Sequence, residues 1–200
     1  MLSRWTFALL LSLTLAVSAG AAQRYSKQDA DRFDAKLNRI VEQGKAVPRG
    51  KAAPRTIQVT DAELNAYFQH HAKEQIPPGI VDPAINALGD GRVGGRAVVD
   101  LDAVRKQKPR GWLDPMGYMT GRVPVTATGT LTTKDGVGRF TLESADVSGV
   151  TVPKTLLQEL VSYYSRTPEN PSGINMDDPF ELPANIREIR VGKAQSTIVQ

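Results

Sequence analysis

The chain has 200 residues, enough for one ordinary domain with a core that needs no staples. With 40% hydrophobic and 23% charged residues it is globular rather than disordered, and a net charge of +4 is too mild to point to nucleic acid. There is no cysteine, which excludes disulfides, thiol chemistry and a bacterial lipoprotein anchor.

Residues 1–21 read as a secretory signal. Arg4 supplies a short positive start, an apolar run follows from Thr6 to Val17, and Ala19-Gly20-Ala21 matches the small-x-small cleavage pattern. The run is shorter than the roughly 20 residues a spanning helix needs, so cleavage is expected rather than anchoring. Loss of Arg4 with the signal takes the net charge from +4 to +3. The expected location is the periplasm, or the exterior.

Residues 22–44 hold an N-terminal helix, expected over Ser26–Gln43. Phe33, Leu37, Ile40 and Val41 form a narrow stripe, and Gly44 is a plausible stop. Residues 45–55 (KAVPRGKAAPR) carry two prolines and four basic residues with no acid, which reads as an extended, solvated tether. A basic arm that touches lipid headgroups is the alternative. The main domain is expected over 56–200.

That domain begins with a short strand at Thr56–Val59. Thr60 and Glu63 then have the spacing of a capping box, and Leu64, Tyr67 and Phe68 give the following helix its apolar side. His70 and His71 point about 100° apart on a helix, so they do not chelate one metal. Ile76-Pro77-Pro78-Gly79 breaks the helix. A strand follows over Ile80–Leu88, a Gly-Asp-Gly turn, and a return strand over Arg92–Asp102. Val93, Ala97, Val99 and Leu101 alternate there with Arg92, Arg96, Val98, Asp100 and Asp102. Asp100 and Asp102 could in principle hold Ca²⁺ or exchange protons. They lack a third acid or a glycine-rich loop, and an exposed polar face is expected of them.

Residues 103–120 hold the densest aromatic and methionine cluster, with Trp112, Met116 and Met119 among its members. Such residues suit either the mouth of an apolar pocket or an irregular connection packed on a sheet edge.

The segment 121–164 organises the rest. Val123, Val125, Ala127 and Leu131 share one parity, and Thr126, Thr128, Thr130 and Thr132 the other, which is the period of a strand with one buried face. Lys134-Asp135-Gly136 turns the chain into a second strand with Phe140 and Leu142 on one face. The period then becomes helical. Leu156, Leu157, Leu160, Val161 and Tyr164 make one apolar stripe behind Pro153. A polar loop over 165–178 leads to Asn185–Val191, a Gly192-Lys193 turn and a closing strand at Ser196–Val199. There is no Ser-His-Asp grouping, phosphate loop or dinucleotide fingerprint. No catalytic residue, metal or cofactor is expected, and the protein reads as no enzyme.

The order of several motifs resembles exported bacterial lipid-binding proteins. They are TDAELNAYF (60–68), IPPGI (76–80), DGRVGGRAVVDLD (90–102), GRVPVTATGTL (121–131), GVGRFTLESADVSGVTVPKTLLQEL (136–160) and PFELPANIREIRV (179–191). The pattern is similar to the mannan-elongation lipoprotein type and the YpmS-like exported proteins, and through them to the tubular lipid-binding and AsmA-like envelope proteins. The resemblance spans most of 56–199. It implies an α+β fold in which a strongly curved antiparallel sheet packs around a long amphipathic helix, with the N-terminal helix added. An apolar groove for acyl chains would lie between them. Leu156, Leu160, Val161 and Tyr164 would line it from the helix, and Val123, Val125, Phe140 and Leu142 from the sheet. Trp112, Met116 and Met119 would stand at its mouth. The expected partner is a lipid or other amphiphile, with a membrane surface or an envelope protein beyond it and no nucleic acid. The alternative is an envelope interaction module with a closed core, docked by its N-terminal helix and tether.

Overall fold

The computed structural model describes residues 25–45, 53–106 and 120–200. The proposed signal, most of the basic tether, and Trp112, Met116 and Met119 lie outside the described residues. Helix α1 (Lys27–Lys45) is followed by β1 (Thr56–Thr60), α2 (Asp61–His70), β2 (Ile80–Gly89), β3 (Arg92–Asp100) and α3 (Leu101–Lys106). Then come β4 (Arg122–Lys134), β5 (Val137–Val147), β6 (Val150–Thr151), α4 (Lys154–Ser165), β7 (Phe180–Glu181), β8 (Glu188–Val191) and β9 (Gln195–Val199). The fold is α+β: a six-stranded antiparallel sheet and a three-stranded one, with helices. The sheet is not closed.

Local chemistry explains most boundaries. The Ser26 hydroxyl accepts from the Asp29 N–H at 3.0 Å and starts α1. The capping box forms at α2: Thr60 Oγ1 accepts from the Glu63 N–H, and the Glu63 carboxylate accepts from the Thr60 N–H. Asp90-Gly91, Asp135-Gly136 and Ser148-Gly149 all have positive φ at both residues and turn the hairpins β2–β3, β4–β5 and β5–β6. Positive φ at both central residues is the type I′ turn, whose twist matches that of the strands it joins.

The return strand is shorter than its alternation suggests. It ends at Asp100, and Leu101 and Asp102 belong to α3. The reason is a helix cap, in which the Asp100 carboxylate accepts from the Ala103 N–H at 2.9 Å. Leu101, expected on the strand's apolar face, becomes a fully buried helix residue at 1% exposure.

The large sheet runs β2-β3-β4-β5-β6 with β7 on the β5 edge, and the small sheet runs β1-β9-β8. The small sheet joins the two ends of the domain, since β1 pairs with β9. Its core holds Ile40 of α1, Ile57 and Val59 of β1, and Leu182 and Ile186, each at 9% exposure or less. Phe33, Leu64, Ile189 and Ile198 pack around them. Helix α1 therefore supplies part of a closed core, and its docking onto α2 is fixed by Lys36, which donates to both Glu63 carboxylate oxygens at 2.7 Å.

The two sheets are stitched at one end of the large sheet. Gly136 of the β4–β5 turn donates to the Arg187 carbonyl at 3.0 Å and accepts from the Leu182 N–H at 2.8 Å. Thr133 Oγ1 meets both backbone groups of Ile189, at 2.7 Å and 3.0 Å. The β2 edge is covered in a similar way. The buried Asn65 amide accepts from the Ile85 N–H and donates to its carbonyl, both at 2.8 Å, and the Asp61 carboxylate accepts from the Ala87 N–H. An edge strand left bare would template pairing with another chain.

Candidate functional site

Strand register collects the apolar side chains of the large sheet onto one face. Directly opposed residues share a face in an antiparallel pair. Val99 pairs with Val123 and Ala97 with Val125, while Val125 pairs with Val147, Gly129 with Leu142 and Leu131 with Phe140. Ile80 and Ala87 of β2 join through Val99 and Val93. The sheet residues singled out from the sequence, Val123, Val125, Phe140 and Leu142, are thus brought together.

On this face only small residues are buried, and other small ones, Gly95, Ala97 and Ala127, are half-buried. Ala87, Gly129, Gly138 and Ala145 are buried. The larger Val93, Val99, Val123, Val125, Leu131, Phe140, Leu142 and Val147 are all half-buried. The small-sheet core differs in having large side chains that are buried, Ile40, Ile57, Val59, Leu182 and Ile186, with Phe33, Leu64, Ile189 and Ile198 half-buried around them.

The floor of the face is shaped by glycine. The Phe140 ring lies across Gly129, so a Cβ there would overlap the ring and the Thr141 carbonyl. Gly129 also sits at a register shift after Thr128, where one extra residue of β5 bends the ladder. Phe140 therefore lies down along the floor instead of standing up from it. Phe180 makes the equivalent contact with Gly138 at the far edge.

Helix α4 meets the sheet at β5 and has no buried residue. Its polar flank is taken up by the loop that follows. Gln158 accepts from the Met176 N–H at 2.8 Å and donates to the Ile174 carbonyl at 3.0 Å. Ser162 donates to the same carbonyl, and Ser165 accepts from the Ile174 N–H at 2.7 Å. At about 100° per residue, the stripe Leu157, Leu160, Val161 and Tyr164 points away from that flank. Those residues are half-buried, and Leu156 is 44% exposed. The Tyr163 and Tyr164 rings meet edge to face, 5.0 Å between centroids.

The polar residues weighed from the sequence have structural partners. Asp100 caps α3, and the Ala103 N–H together with the Arg122 guanidinium at 3.2 Å hold its carboxyl below the usual range. Asp102 accepts from the Gly121 N–H at 3.0 Å and pairs with Arg105. His71 Nε2 lies 2.8 Å from the Asp31 carboxylate, and His70 Nε2 lies 3.0 Å from the Tyr25 carbonyl, so both histidines face the start of α1. On the polar face of the sheet, the Thr130 hydroxyl and then Arg92 hold the Glu143 carboxyl low. Among the described residues no group of three or more His, Cys, Asp or Glu could hold a metal. Nor is any described helix long and apolar enough to cross a membrane.

Reasoning from the sequence missed Val99, Ala97 and Val147 as neighbours of the proposed lining. Their alternation was visible, but their partners were not. It also missed a cavity of about 730 Å³ between α4 and the loop 170–180, bounded by Ser162, Asn170, Met176 and Phe180 among others.

No family model matches the chain. No curated protein matches it either. Among solved structures, one described as the crystal structure of lipopolysaccharide binding protein is 16% identical, with a TM-score of 0.23, over 72% of this chain and 40% of that one. The chain thus spans less than half the length of that protein.

Proposed function

We propose that this is a non-enzymatic protein, exported to the periplasm, that binds or shuttles a lipid or other amphiphile along the apolar face of its large sheet. The observation that carries the reading is the contrast in burial. Large aliphatic side chains on that face stay half-buried and α4 fully buries no residue of its stripe, while the small-sheet core has Ile40, Ile57, Val59, Leu182 and Ile186 buried at its centre. Each methylene of a bound chain laid against such a surface gains up to about 0.8 kcal/mol. Val123, Val125, Phe140 and Leu142 would form the wall on the sheet. Leu156, Leu160, Val161 and Tyr164 would form the wall on the helix. Export rests on the signal pattern in residues 1–21. The rival reading, an envelope interaction module with a closed core that docks a protein partner by its N-terminal helix and tether, finds less support, because Ile40 of that helix is taken up in the core.

The test is native mass spectrometry of the protein purified from cells, with organic extraction and lipid analysis. A copurifying lipid near one-to-one is expected. Leu160→Glu, checked first for folding, should lose it. A clean apo mass with no uptake of phospholipid or fatty acid would sink the proposal.

A further inference from the structure

The cavity beside α4 has a character different from the apolar face it adjoins. It is a hollow of about 730 Å³, open to solvent on one side and lined mostly by exposed residues. The loop that forms it is pinned rather than draped. Gln158, Ser162 and Ser165 bind the backbone of Ile174 and Met176, as described above. The Asn175 side chain closes a turn on Asp177 and Asp178. Gly173, at φ +74°, lies so close to the Ser162 carbonyl that any Cβ would overlap it. The walls are therefore in place before a ligand arrives, which lowers the ordering cost of binding.

Part of the wall chemistry is unclaimed. The Asn170 side-chain amide and the Ser172 hydroxyl make no hydrogen bond to the described residues, and Asn175 occupies one Asp178 oxygen and leaves the other. Phe180, 44% exposed, gives a ring surface beside them, and Met176 and Pro179 extend it. The lining contains no Lys or Arg. Two cations beside the loop are taken up by Asp177, whose carboxylate pairs with Lys154 at 2.6 Å and whose carbonyl accepts from Arg139 at 2.9 Å. An anionic group would thus meet a carboxylate in the lining and no cation of the lining. Amide, hydroxyl and carboxylate groups beside an apolar ring suit an uncharged group rich in hydroxyls, which donates and accepts at once.

Position links the cavity to the face. Phe180 belongs to its lining and also packs on Gly138, which lies on the apolar side of the large sheet opposite Thr133. We propose that this cavity is a subsite for an uncharged polyhydroxyl group, such as a sugar or glycerol headgroup, with an attached chain running from Phe180 onto the apolar face. The attached chain rests on the amphiphile reading above; the subsite itself does not.

The experiment is calorimetric titration of the protein purified from cells and delipidated, with three amphiphiles of equal chain length below their micelle concentrations. They are octyl glucoside, octanoate and octyltrimethylammonium, with methyl glucoside as a chain-free control. Octyl glucoside should bind about tenfold tighter than the other two, and an Asn170→Ala, Asp178→Ala variant should lose most of that preference, as removal of a few hydrogen bonds predicts. Both positions are exposed, so the variant should fold, and an unchanged thermal unfolding midpoint would check that. Equal affinity for all three headgroups, or preference for either charged one, overturns the subsite while leaving the amphiphile reading intact. Methyl glucoside binding as tightly as octyl glucoside keeps the subsite and removes the lipid reading. Absence of binding by both glucosides overturns the subsite.

Discussion

Asn65 offers a sharp test of how the two layers are joined. Its side chain is 1% exposed and makes a matched pair of hydrogen bonds, at 2.8 Å each, to the N–H and carbonyl of Ile85. It thus substitutes for a missing neighbour strand along the β2 edge. Asn65→Ala leaves both backbone groups without a partner. At about 1–3 kcal/mol for each orphaned group, the expected loss is about 2–6 kcal/mol. With a urea slope of about 2–3 kcal/mol/M, the midpoint should fall by about 0.7–3 M. Asn65→Asp separates hydrogen bonding from packing. An ionised carboxylate there can accept from the Ile85 N–H but faces the carbonyl with no proton to give. Burial and that carbonyl raise its folded pKa above the unfolded value of about 3.9. The folded state then binds more protons, so stability is greatest below the unfolded pKa and is lost as pH rises through the folded pKa. Relative to wild type, Asn65→Asp should be nearly neutral at low pH and strongly destabilised at neutral pH, whereas the Asn65→Ala deficit should stay flat. The measurement is urea denaturation of all three proteins across that range. An Asn65→Ala protein within about 0.5 kcal/mol of wild type, or an Asn65→Asp deficit independent of pH, would refute the edge-capping argument.

Lys36→Met should cost about 2–4 kcal/mol at neutral pH, since it leaves the Glu63 carboxylate, 8% exposed, without its cation. Burial raises the Glu63 pKa, but Lys36 and the Thr60 N–H outweigh it, and the net shift is downward from 4.5. The stability this group contributes is therefore present above pH 4.5 and lost as pH falls through its lower folded pKa, which acid titration of the unfolding midpoint would show. A wild-type and Lys36→Met difference that stayed constant down to low pH would count against this account. Gly129→Ala should destabilise by about 1–3 kcal/mol, because the Cβ forces Phe140 off the floor. Unchanged thermal stability would show that the ring moves freely.

The repeat of local signals explains how much could be read early. The Thr60–Glu63 capping box, both Asp-Gly turns and the alternation of β4 are set by residues a few positions apart, so they appear in the sequence as they appear in the fold. Val123, Val125, Phe140 and Leu142 share a face for the same reason, since side-chain direction alternates along any strand. The end of β3 escaped, because Asp100 continues the alternation and only its bond to Ala103 turns the chain into α3.

Composition, turns, caps and the amphipathic periods were thus determined by the sequence alone, through interactions that close within a few residues. The tertiary structure decided what lies opposite what. It paired β1 with β9 across the domain, placed Ile40 of the N-terminal helix in the core, and set Asn65 against Ile85. It also left large side chains of one sheet face half-buried and shaped an open hollow of mixed polar and apolar lining beside them. An apolar stripe has the same spacing whether its partner surface is complete or not. Only the positions of the surrounding elements tell a filled core from a face that a ligand can cover.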